Sequence, residues 1–309
     1  MKMDTIEIPK PLKGIVPPMI TPLLNDDQLD IEGLERLIEH ILEGGVHGLF
    51  ILGTTGESTS LSYDIRHDLV RRTCKLVNGR VPVLVGITDT AATESIRLAE
   101  TAKEAGAAAV VAAPPYYFSL GQPELIEYYE YLVERLPLPL YLYNMPTHTK
   151  IVIEPNTVKE LSKHKSILGL KDSSANNAYF NSVVFKMKDR PDFSLLVGPE
   201  EIMAETVLLG AHGGVNGGAN MFPSLYVKLY EAAVSGDLET VRKLQSKVMN
   251  ISSSLYSVGK FGSSYLKGLK AALSIMGICS DHLASPLHSF RKDEKEKIAE
   301  GLKDIQANL

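Results

Sequence analysis

Residues 138–174 read LPLYLYNMPTHTKIVIEPNTVKELSKHKSILGLKDSS, and they hold one full repeat of a pattern that recurs along the chain. An apolar run at 138–143 precedes a segment with apolar residues at helical spacing, 155–164, and a second apolar run follows at 167–170. Both runs lack polar alternation, which is typical of parallel strands covered on both faces. The stretch therefore predicts a strand–helix–strand unit.

The same alternation extends in both directions from this stretch. Further apolar runs lie at residues 14–19, 48–52, 81–86, 108–112, 194–197 and 213–216. Further helical patterns lie at residues 30–43, 63–77, 91–105, 123–135, 176–188, 200–209 and 223–235. Eight strand–helix pairs favour an α/β fold of the closed (β/α)8 TIM-barrel type over an open sheet. The helical segments 237–256, 263–276 and 290–307 then predict a three-helix appendage (237–309) on a catalytic barrel (1–236).

The composition excludes several classes of protein. The formal net charge is -5 and no basic stripe appears, so nucleic acid is not an expected partner. No apolar run approaches the roughly 20 residues of a membrane span, and residues 1–10 lack the apolar core of a signal peptide. The only cysteines, Cys74 and Cys279, are expected to be small buried apolar residues of a cytoplasmic protein.

Lys171 is the sharpest functional signal, because it directly follows a buried strand of the predicted barrel. Barrel enzymes carry their active sites where the C-terminal ends of the strands meet. Burial disfavours the ammonium form, lowers the lysine pKa and makes the amine available as a nucleophile. A lysine at this position could also lie just past the strand with its side chain in solvent. The catalytic interpretation therefore depends on the neighbouring residues.

Two other groups are predicted to reach the same mouth. Tyr143 ends the preceding strand, where a phenol can relay protons or simply pack in the core. The segment 53–58 reads GTTGES, and its N–H groups with the hydroxyls of Thr54 and Thr55 suit a carboxylate or an ordinary turn. Glu57 is expected to orient this loop rather than to take part in the chemistry.

The remaining loops argue against other chemistries. Gly198 follows the seventh strand, and residues 213–220 read GGVNGGAN, which does not fit the G-x-G-x-x-G pattern of dinucleotide binding. These glycines indicate backbone held close to a small ligand or a tight barrel-closing strand. The scattered histidines form no metal-binding pair, and no G-x-S-x-G elbow indicates a serine hydrolase.

Three segments together resemble one known family. GTTGES at 53–58, YNMP at 143–146 and GLKD at 169–172 are similar, in this order, to motifs of the dihydrodipicolinate synthase and N-acetylneuraminate lyase family of pyruvate-dependent class I aldolases. The resemblance extends from about Gly14 to the C-terminal helices. It implies that Lys171 forms the Schiff base and that Tyr143 relays protons.

The resemblance implies further roles. Thr54 and Thr55 would hold the pyruvate carboxylate, and Thr55 would also take part in the proton relay. Tyr117 would reach a neighbouring subunit's site, in a homotetramer built as a dimer of dimers. No metal or organic cofactor is implied, since the imine on Lys171 supplies the electron sink.

The sequence departs from the family at two places. The lysine-biosynthetic synthases carry an arginine for the second substrate's carboxylate where this chain has His148, and a glycine where it has Lys150. Histidine cannot form the two-pronged contact of arginine, which puts dihydrodipicolinate synthesis in question. Asn216 stands near a position that is usually apolar in the synthases; it could bind a sugar hydroxyl or merely satisfy backbone groups.

The sequence thus predicts a lyase that makes or breaks carbon–carbon or carbon–oxygen bonds in pyruvate or a 2-keto-3-deoxy sugar acid. Two alternatives stay open: 4-hydroxy-tetrahydrodipicolinate synthase, which condenses pyruvate with aspartate semialdehyde, and a non-catalytic barrel that binds a 2-oxo acid. The expected partners are a 2-oxo acid and an aldehyde. The candidate catalytic residues are Lys171, Tyr143, Thr55 and Tyr117, and the candidate substrate-binding residues are Thr54, Thr55, His148, Gly198 and Asn216.

Overall fold

A computed structural model describes residues 7–309 and shows eight parallel strands surrounded by helices. Two further strands, β2 and β3, form a small antiparallel hairpin outside the barrel. In chain order the strands are Gly14–Ile15 (β1), Leu23–Asn25 (β2), Gln28–Leu29 (β3), Leu49–Ile51 (β4), Val83–Gly86 (β5), Ala109–Ala112 (β6), Leu140–Asn144 (β7), Ile167–Asp172 (β8), Ser194–Val197 (β9) and Gly213–Gly214 (β10).

The barrel closes on itself, as the sequence predicts. Neighbouring strands pair in the order β1-β10-β9-β8-β7-β6-β5-β4. The gap between β4 and β1 is bridged just past β1, where the Phe50 N–H donates to the Pro17 carbonyl at 3.0 Å and the Met19 N–H donates to the Phe50 carbonyl at 2.8 Å. The (β/α)8 fold is therefore confirmed, and its C-terminal mouth collects the residues that end each strand.

The helices form where the apolar spacing predicts them. Asp30 caps the first helix, since its carboxylate accepts a hydrogen bond from the Gly33 N–H at 2.9 Å. None of the described helices is both long and apolar enough to cross a bilayer. The helices are Ile31–Glu43 (α1), Tyr63–Val77 (α2), Ala92–Glu104 (α3), Gln122–Val133 (α4), Pro146–Thr149 (α5), Pro155–Leu161 (α6), Asn177–Lys186 (α7), Met203–Leu208 (α8), Pro223–Ser235 (α9), Leu238–Leu255 (α10), Ser264–Ile275 (α11) and Lys292–Ala307 (α12).

Three local features differ from the predicted elements. Strand β8 continues to residue 172 rather than 170, because Lys171 pairs with Tyr143 of β7 and with Leu196 of β9. The helix predicted at 200–209 is divided into a 3-10 turn and α8. The hairpin of β2 and β3 and the short helix α5 are not indicated by the apolar pattern, since both are too short to show a period.

The strands are apolar at nearly every position because both of their faces are buried. One cluster of buried side chains fills the barrel, including Phe50, Leu84, Tyr141, Leu168 and Leu196. A larger cluster lies between the strands and the surrounding helices. The barrel is therefore packed and is not a pore, which leaves room for a ligand only at its mouth.

Helices α10 and α11 pack against the barrel, and α12 packs against these two helices. Helix α10 contacts α9 and the 3-10 turn Glu200–Ile202, and α11 contacts the 3-10 turn Gly217–Asn220 that follows β10. Gly236 ends α9 with a φ of 73°, a left-handed conformation that glycine adopts readily. The division into 1–236 and 237–309 remains a proposal. Residues 1–6, which include part of the segment considered as a signal peptide, lie outside the described residues.

The two cysteines match the prediction made for them. Cys74 and Cys279 are both buried and unpaired. Burial raises the pKa of each thiol to about 12, so both stay protonated at neutral pH. They act as small apolar side chains rather than as reactive groups.

Candidate active site

A cavity of about 500 Å³ lies at the C-terminal mouth of the barrel. Most of the residues singled out from the sequence line it, but Asn216 and Tyr117 do not. Residues that the sequence did not suggest, from the turn after β9 and from the appendage, complete its wall. The predicted residues among its lining are Lys171, Tyr143, Thr54, Thr55, His148 and Gly198.

Lys171 lies inside β8 and not beyond its end. Its side chain points into the barrel mouth, and the residue is only 6% exposed. Its ammonium nitrogen lies 3.9 Å from the centre of the Tyr143 ring and 4.7 Å from the centre of the Phe50 ring. Asp172, the next residue of the strand, faces the other way and accepts a 2.7 Å hydrogen bond from the Asn144 amide. The lysine therefore has two aromatic rings beside it and no carboxylate within ion-pair distance among the described residues.

Burial moves the pKa of Lys171 below its usual value, because the cavity wall solvates an ammonium poorly. The neighbouring Tyr143 hydroxyl opposes this shift but does not cancel it. For Tyr143, burial alone would raise the pKa, but the nearby charge of Lys171 and the hydrogen bond with Thr54 outweigh it, and the net pKa is lowered. Burial thus favours the neutral amine of Lys171, and the charge of Lys171 lowers the pKa of Tyr143, so both shifts favour proton transfer at neutral pH.

The loop 53–58 brings its two threonines to different tyrosines. The Thr54 hydroxyl lies 3.2 Å from the Tyr143 hydroxyl. The Thr55 hydroxyl lies 3.2 Å from the hydroxyl of Tyr265 on helix α11. The sequence resemblance placed Thr55 in the proton relay, whereas the structure brings Thr54 to Tyr143. The contacts at this end of the cavity therefore join Lys171, Tyr143 and Thr54.

The backbone of this loop is shaped to receive an anion. The N–H groups of Gly56 and Glu57 donate to carbonyls within the loop, at 3.1 Å each. The N–H groups of Thr54 and Thr55 donate to no other described residue, so both remain available to a ligand. Two free amides beside two hydroxyls form the kind of donor set that binds a carboxylate.

Glu57 holds the loop in place, as the sequence predicts. Its carboxylate is buried, pairs with the fully buried ammonium of Lys270 on α11 and accepts a 2.8 Å hydrogen bond from the Ala284 N–H. Glu57 and Leu52 both have positive φ angles, 57° and 56°, which cost about 1–3 kcal/mol each in a residue other than glycine. The contacts to the appendage keep the loop in this strained conformation.

His148 lies on the rim of the cavity, on the short helix α5. Its imidazole Nδ1 lies 3.0 Å from the Thr147 hydroxyl. Partial burial lowers the pKa of His148, and the nearby Lys150 ammonium lowers it further. The side chain is therefore a neutral hydrogen-bonding group at pH 7, which differs from the fixed charge of an arginine.

Asn216 is fully buried and turned away from the cavity. Its side-chain amide donates to the Gly198 carbonyl at 2.9 Å. A side chain at Gly198 would have no room, since its Cβ would lie 2.1 Å from the Ser173 hydroxyl oxygen. The amide nitrogen of Asn216 thus holds the backbone of Gly198 in the cavity wall, while its buried Oδ1 has no hydrogen-bond partner among the described residues.

Tyr117 lies outside the cavity of its own chain. It is 79% exposed, and its ring packs edge-on against Phe118, which is 76% exposed, at 5.2 Å. The adjacent Tyr116 lines a second cavity of about 320 Å³, which shares Thr54, Tyr143 and His148 with the first. The placement of Tyr117 leaves its role in a neighbouring subunit a prediction.

Several residues of the cavity wall were not predicted from the sequence, among them Glu200, Tyr256 and Tyr265. Glu200 follows β9, and burial raises the pKa of its carboxyl to about 7, although the Gly218 N–H and the Tyr226 and Tyr256 hydroxyls all donate to it. Its position two residues after Gly198 was a visible signal. Tyr256 and Tyr265 belong to the appendage, far from any strand, and carried no such signal. No cluster of three metal-ligating side chains occurs within residues 7–309.

A family model described as the dihydrodipicolinate synthetase family matches residues 11–305 of this chain. One solved structure, described as dihydrodipicolinate synthase from Bacteroides thetaiotaomicron, is 62% identical, with a TM-score of 0.94 and coverage of 97% of this chain and 100% of the other. Another, a prophage protein of Escherichia coli K12 solved with pyruvate, is 31% identical, with a TM-score of 0.90 and coverage of 95% and 98%.

Curated relatives carry two kinds of name. A 4-hydroxy-tetrahydrodipicolinate synthase of Methanopyrus kandleri is 32% identical over 296 residues, which cover 95% of this chain and 96% of the relative. A probable 2-dehydro-3-deoxy-D-pentonate aldolase of Escherichia coli is 30% identical over 292 residues, which cover 94% and 96%. Sequence similarity of this size does not separate the two activities.

Proposed function

Because this chain belongs to the dihydrodipicolinate synthetase family, we propose that it forms an imine between Lys171 and the keto carbon of a 2-oxo acid. It is an enzyme of the class I aldolase type, like its relatives named as synthases and aldolases, so the non-catalytic barrel is set aside. The observation that carries the role of Lys171 is its burial at the mouth with its nitrogen 3.9 Å from the Tyr143 ring centre.

Binding begins with the substrate carboxylate. The free N–H groups and the hydroxyls of Thr54 and Thr55 hold this anion, and the keto group then faces Lys171. Gly198, kept in place by Asn216, lets the Ser173 hydroxyl pack closely against the cavity wall. Holding amine and ketone together supplies several kcal/mol of the rate enhancement.

Tyr143 transfers the protons of the reaction. The neutral amine of Lys171 adds to the ketone and gives a carbinolamine. Tyr143 protonates the departing hydroxyl, so water leaves and an iminium and a tyrosinate remain. The tyrosinate then takes the proton of the C4 hydroxyl, the C3–C4 bond breaks, and its electron pair forms an enamine while an aldehyde departs. No metal or organic cofactor is required, because the iminium nitrogen accepts the electrons.

We propose a 2-keto-3-deoxy sugar acid as the substrate class. The cavity wall carries Glu201, whose carboxylate accepts one hydrogen bond, from the Ser252 hydroxyl, and keeps its second oxygen for a sugar hydroxyl. Among the described residues, Lys171 is the only lysine or arginine that lines the main cavity. Lys150 lines only the second cavity and donates to the Thr147 carbonyl, so the main cavity offers a second carboxylate no permanent positive charge besides Lys171. His148, as a neutral group on the rim, fits a hydroxyl better than a carboxylate.

The second candidate is the condensation of pyruvate with aspartate semialdehyde. It is favoured by the 62% identical structure described as a dihydrodipicolinate synthase. The two candidates share the imine on Lys171 and differ only in the second substrate.

A substrate comparison separates these two activities. We expect release of pyruvate from 2-keto-3-deoxy pentonate or gluconate with a kcat/KM at least about 100-fold above that for pyruvate with aspartate semialdehyde, since an unpaired buried carboxylate costs roughly 3 kcal/mol. The measurement couples pyruvate release to lactate dehydrogenase, and follows the condensation with dihydrodipicolinate reductase. Faster condensation than cleavage would contradict the sugar-acid assignment and leave the imine chemistry intact.

We also propose that the chain assembles as a homotetramer in which Tyr117 contacts a neighbouring subunit. The exposed pair of Tyr117 and Phe118 beside the mouth supports this arrangement, because two adjacent aromatic side chains are rarely left in solvent. Sedimentation velocity is expected to give the mass of four chains. A single-chain mass at micromolar concentration would show that Tyr117 is not part of a second site.

The two unpaired thiols support a reducing compartment, and we propose the cytoplasm. Fractionation of the source cells would test this location, and recovery with the extracellular proteins would contradict it.

A further inference from the structure

Tyr265 brings a phenol from the appendage into the proposed carboxylate site. It lies in the first turn of α11, lines the main cavity and places its hydroxyl 3.2 Å from the Thr55 hydroxyl. The Thr54 hydroxyl lies at the same distance, 3.2 Å, from the Tyr143 hydroxyl. The two consecutive threonines therefore have separate phenol partners.

The surroundings fix the position of this phenol. A Cβ at Gly217 would lie 1.7 Å from the Tyr265 hydroxyl oxygen, so only glycine at that position allows the phenol to reach Thr55. The Tyr265 ring packs edge-on against Tyr256, with the ring centres 4.8 Å apart. Tyr256 in turn donates a 3.0 Å hydrogen bond to Glu200. The ring is thus held between the turn after β10 and the buried carboxyl after β9.

The hydrogen bonds of the pair can be counted. Burial holds the pKa of Tyr265 well above its usual value, so the phenol keeps its proton at neutral pH. A phenol is a stronger donor than an aliphatic hydroxyl, and it therefore donates to the Thr55 oxygen. The single proton of Thr55 must then point away from Tyr265 and toward the cavity.

We propose that Tyr265 is a positioning residue that directs the Thr55 hydroxyl proton toward the carboxylate of the bound 2-oxo acid. The inference rests on the proposed imine chemistry and names a group that fixes the substrate for it. Tyr265 acts through Thr55 and does not transfer protons to the reacting carbon. Its loss should consequently weaken substrate binding and leave the chemical steps nearly unchanged.

The variant Tyr265→Phe removes only the hydroxyl. We expect the pyruvate concentration that half-saturates imine formation, and the KM of turnover, to rise about tenfold, which corresponds to the loss of one hydrogen bond to a charged group. The kcat should stay within about threefold of the wild type. Tyr141→Phe is the matched control, since its hydroxyl bonds to Ser194 at 3.2 Å at the opposite end of the barrel.

The test is a double-mutant cycle read by borohydride reduction of the pyruvate imine and mass spectrometry. If Tyr265 acts through Thr55, the variants Thr55→Val and Thr55→Val/Tyr265→Phe should have the same half-saturating concentration. Additive effects, or an unchanged value in Tyr265→Phe, would overturn the inference. A wild-type protein that forms no adduct would instead overturn the proposed function, so the two failures are distinguishable.

Discussion

Replacing Lys171 with alanine is expected to abolish the borohydride-trapped pyruvate adduct and to lower kcat by at least about 10⁴-fold, because no other amine can form the covalent intermediate. Lys171 is the only lysine among the described residues that line the cavity. The fold should survive, since the variant removes an ammonium that is poorly solvated and has no carboxylate partner. Peptide mapping of the reduced adduct, together with steady-state kinetics and a thermal melt, provides the measurement.

Two companion variants sharpen this experiment. Lys150→Ala removes the neighbouring lysine, whose ammonium binds the Thr147 carbonyl at 2.8 Å on the rim, and it should keep the adduct on Lys171. Tyr143→Phe should still form the adduct but about 100-fold more slowly, since it lacks the proton donor for dehydration of the carbinolamine. An adduct on a different lysine in Lys171→Ala would refute the assignment.

Replacing Lys270 with methionine is expected to lower the free energy of unfolding by about 3–5 kcal/mol, because it leaves the Glu57 carboxylate buried without its charge partner. Both side chains are almost completely buried, so water cannot take the place of the lost ammonium. The lysine also donates to the His282 carbonyl at 2.6 Å, and that acceptor would be left unsatisfied. Urea denaturation followed by circular dichroism gives the free energy.

A double variant distinguishes loss of the ion pair from loss of packing as the cause of the lower stability of Lys270→Met. Glu57→Gln/Lys270→Met should recover more than half of the stability, since no buried charge then lacks a partner. Lys163→Met is the exposed counterpart, paired with Glu160 on the surface, and should cost about 0.5 kcal/mol or less. A loss below about 1 kcal/mol for Lys270→Met would mean that Glu57 does not depend on this ion pair.

The barrel could be predicted because the burial of its strands and helices gives the sequence a regular apolar pattern. Each strand is buried on both faces, so it appears as an apolar run, and each helix buries one stripe, so it appears as a 3.6-residue period. The end of β8 was missed because Lys171 and Asp172 are polar, yet both pair in the barrel wall. Neighbouring strands are joined by hydrogen bonds between backbone groups, which do not depend on the side chains. The apolar pattern of the sequence therefore cannot show at which residue strand pairing ends.

The candidate site was predictable only near the C-terminal end of a strand. Lys171 and Tyr143 lie at the next-to-last positions of β8 and β7, and the threonine loop follows β4. Tyr265 was not predictable, because it reaches Thr55 across a separation of 210 residues from a helix with no periodic link to the barrel. The tyrosine partners of Thr54 and Thr55 were equally unpredictable. The two threonines are adjacent in the sequence, but the packing of the folded chain decides which tyrosine each one contacts.

The link between Glu57 and the appendage also has a meaning for synthesis of the chain. The hydrogen bond from Ala284 to Glu57 joins residues 227 positions apart, and the partners of Glu57 leave the ribosome after all eight barrel strands. Until then the strained loop has neither its counter-charge nor the phenol of Tyr265. A nascent barrel whose strands have all emerged would consequently still lack a finished anion site, and catalytic competence would arrive only with the C-terminal helices.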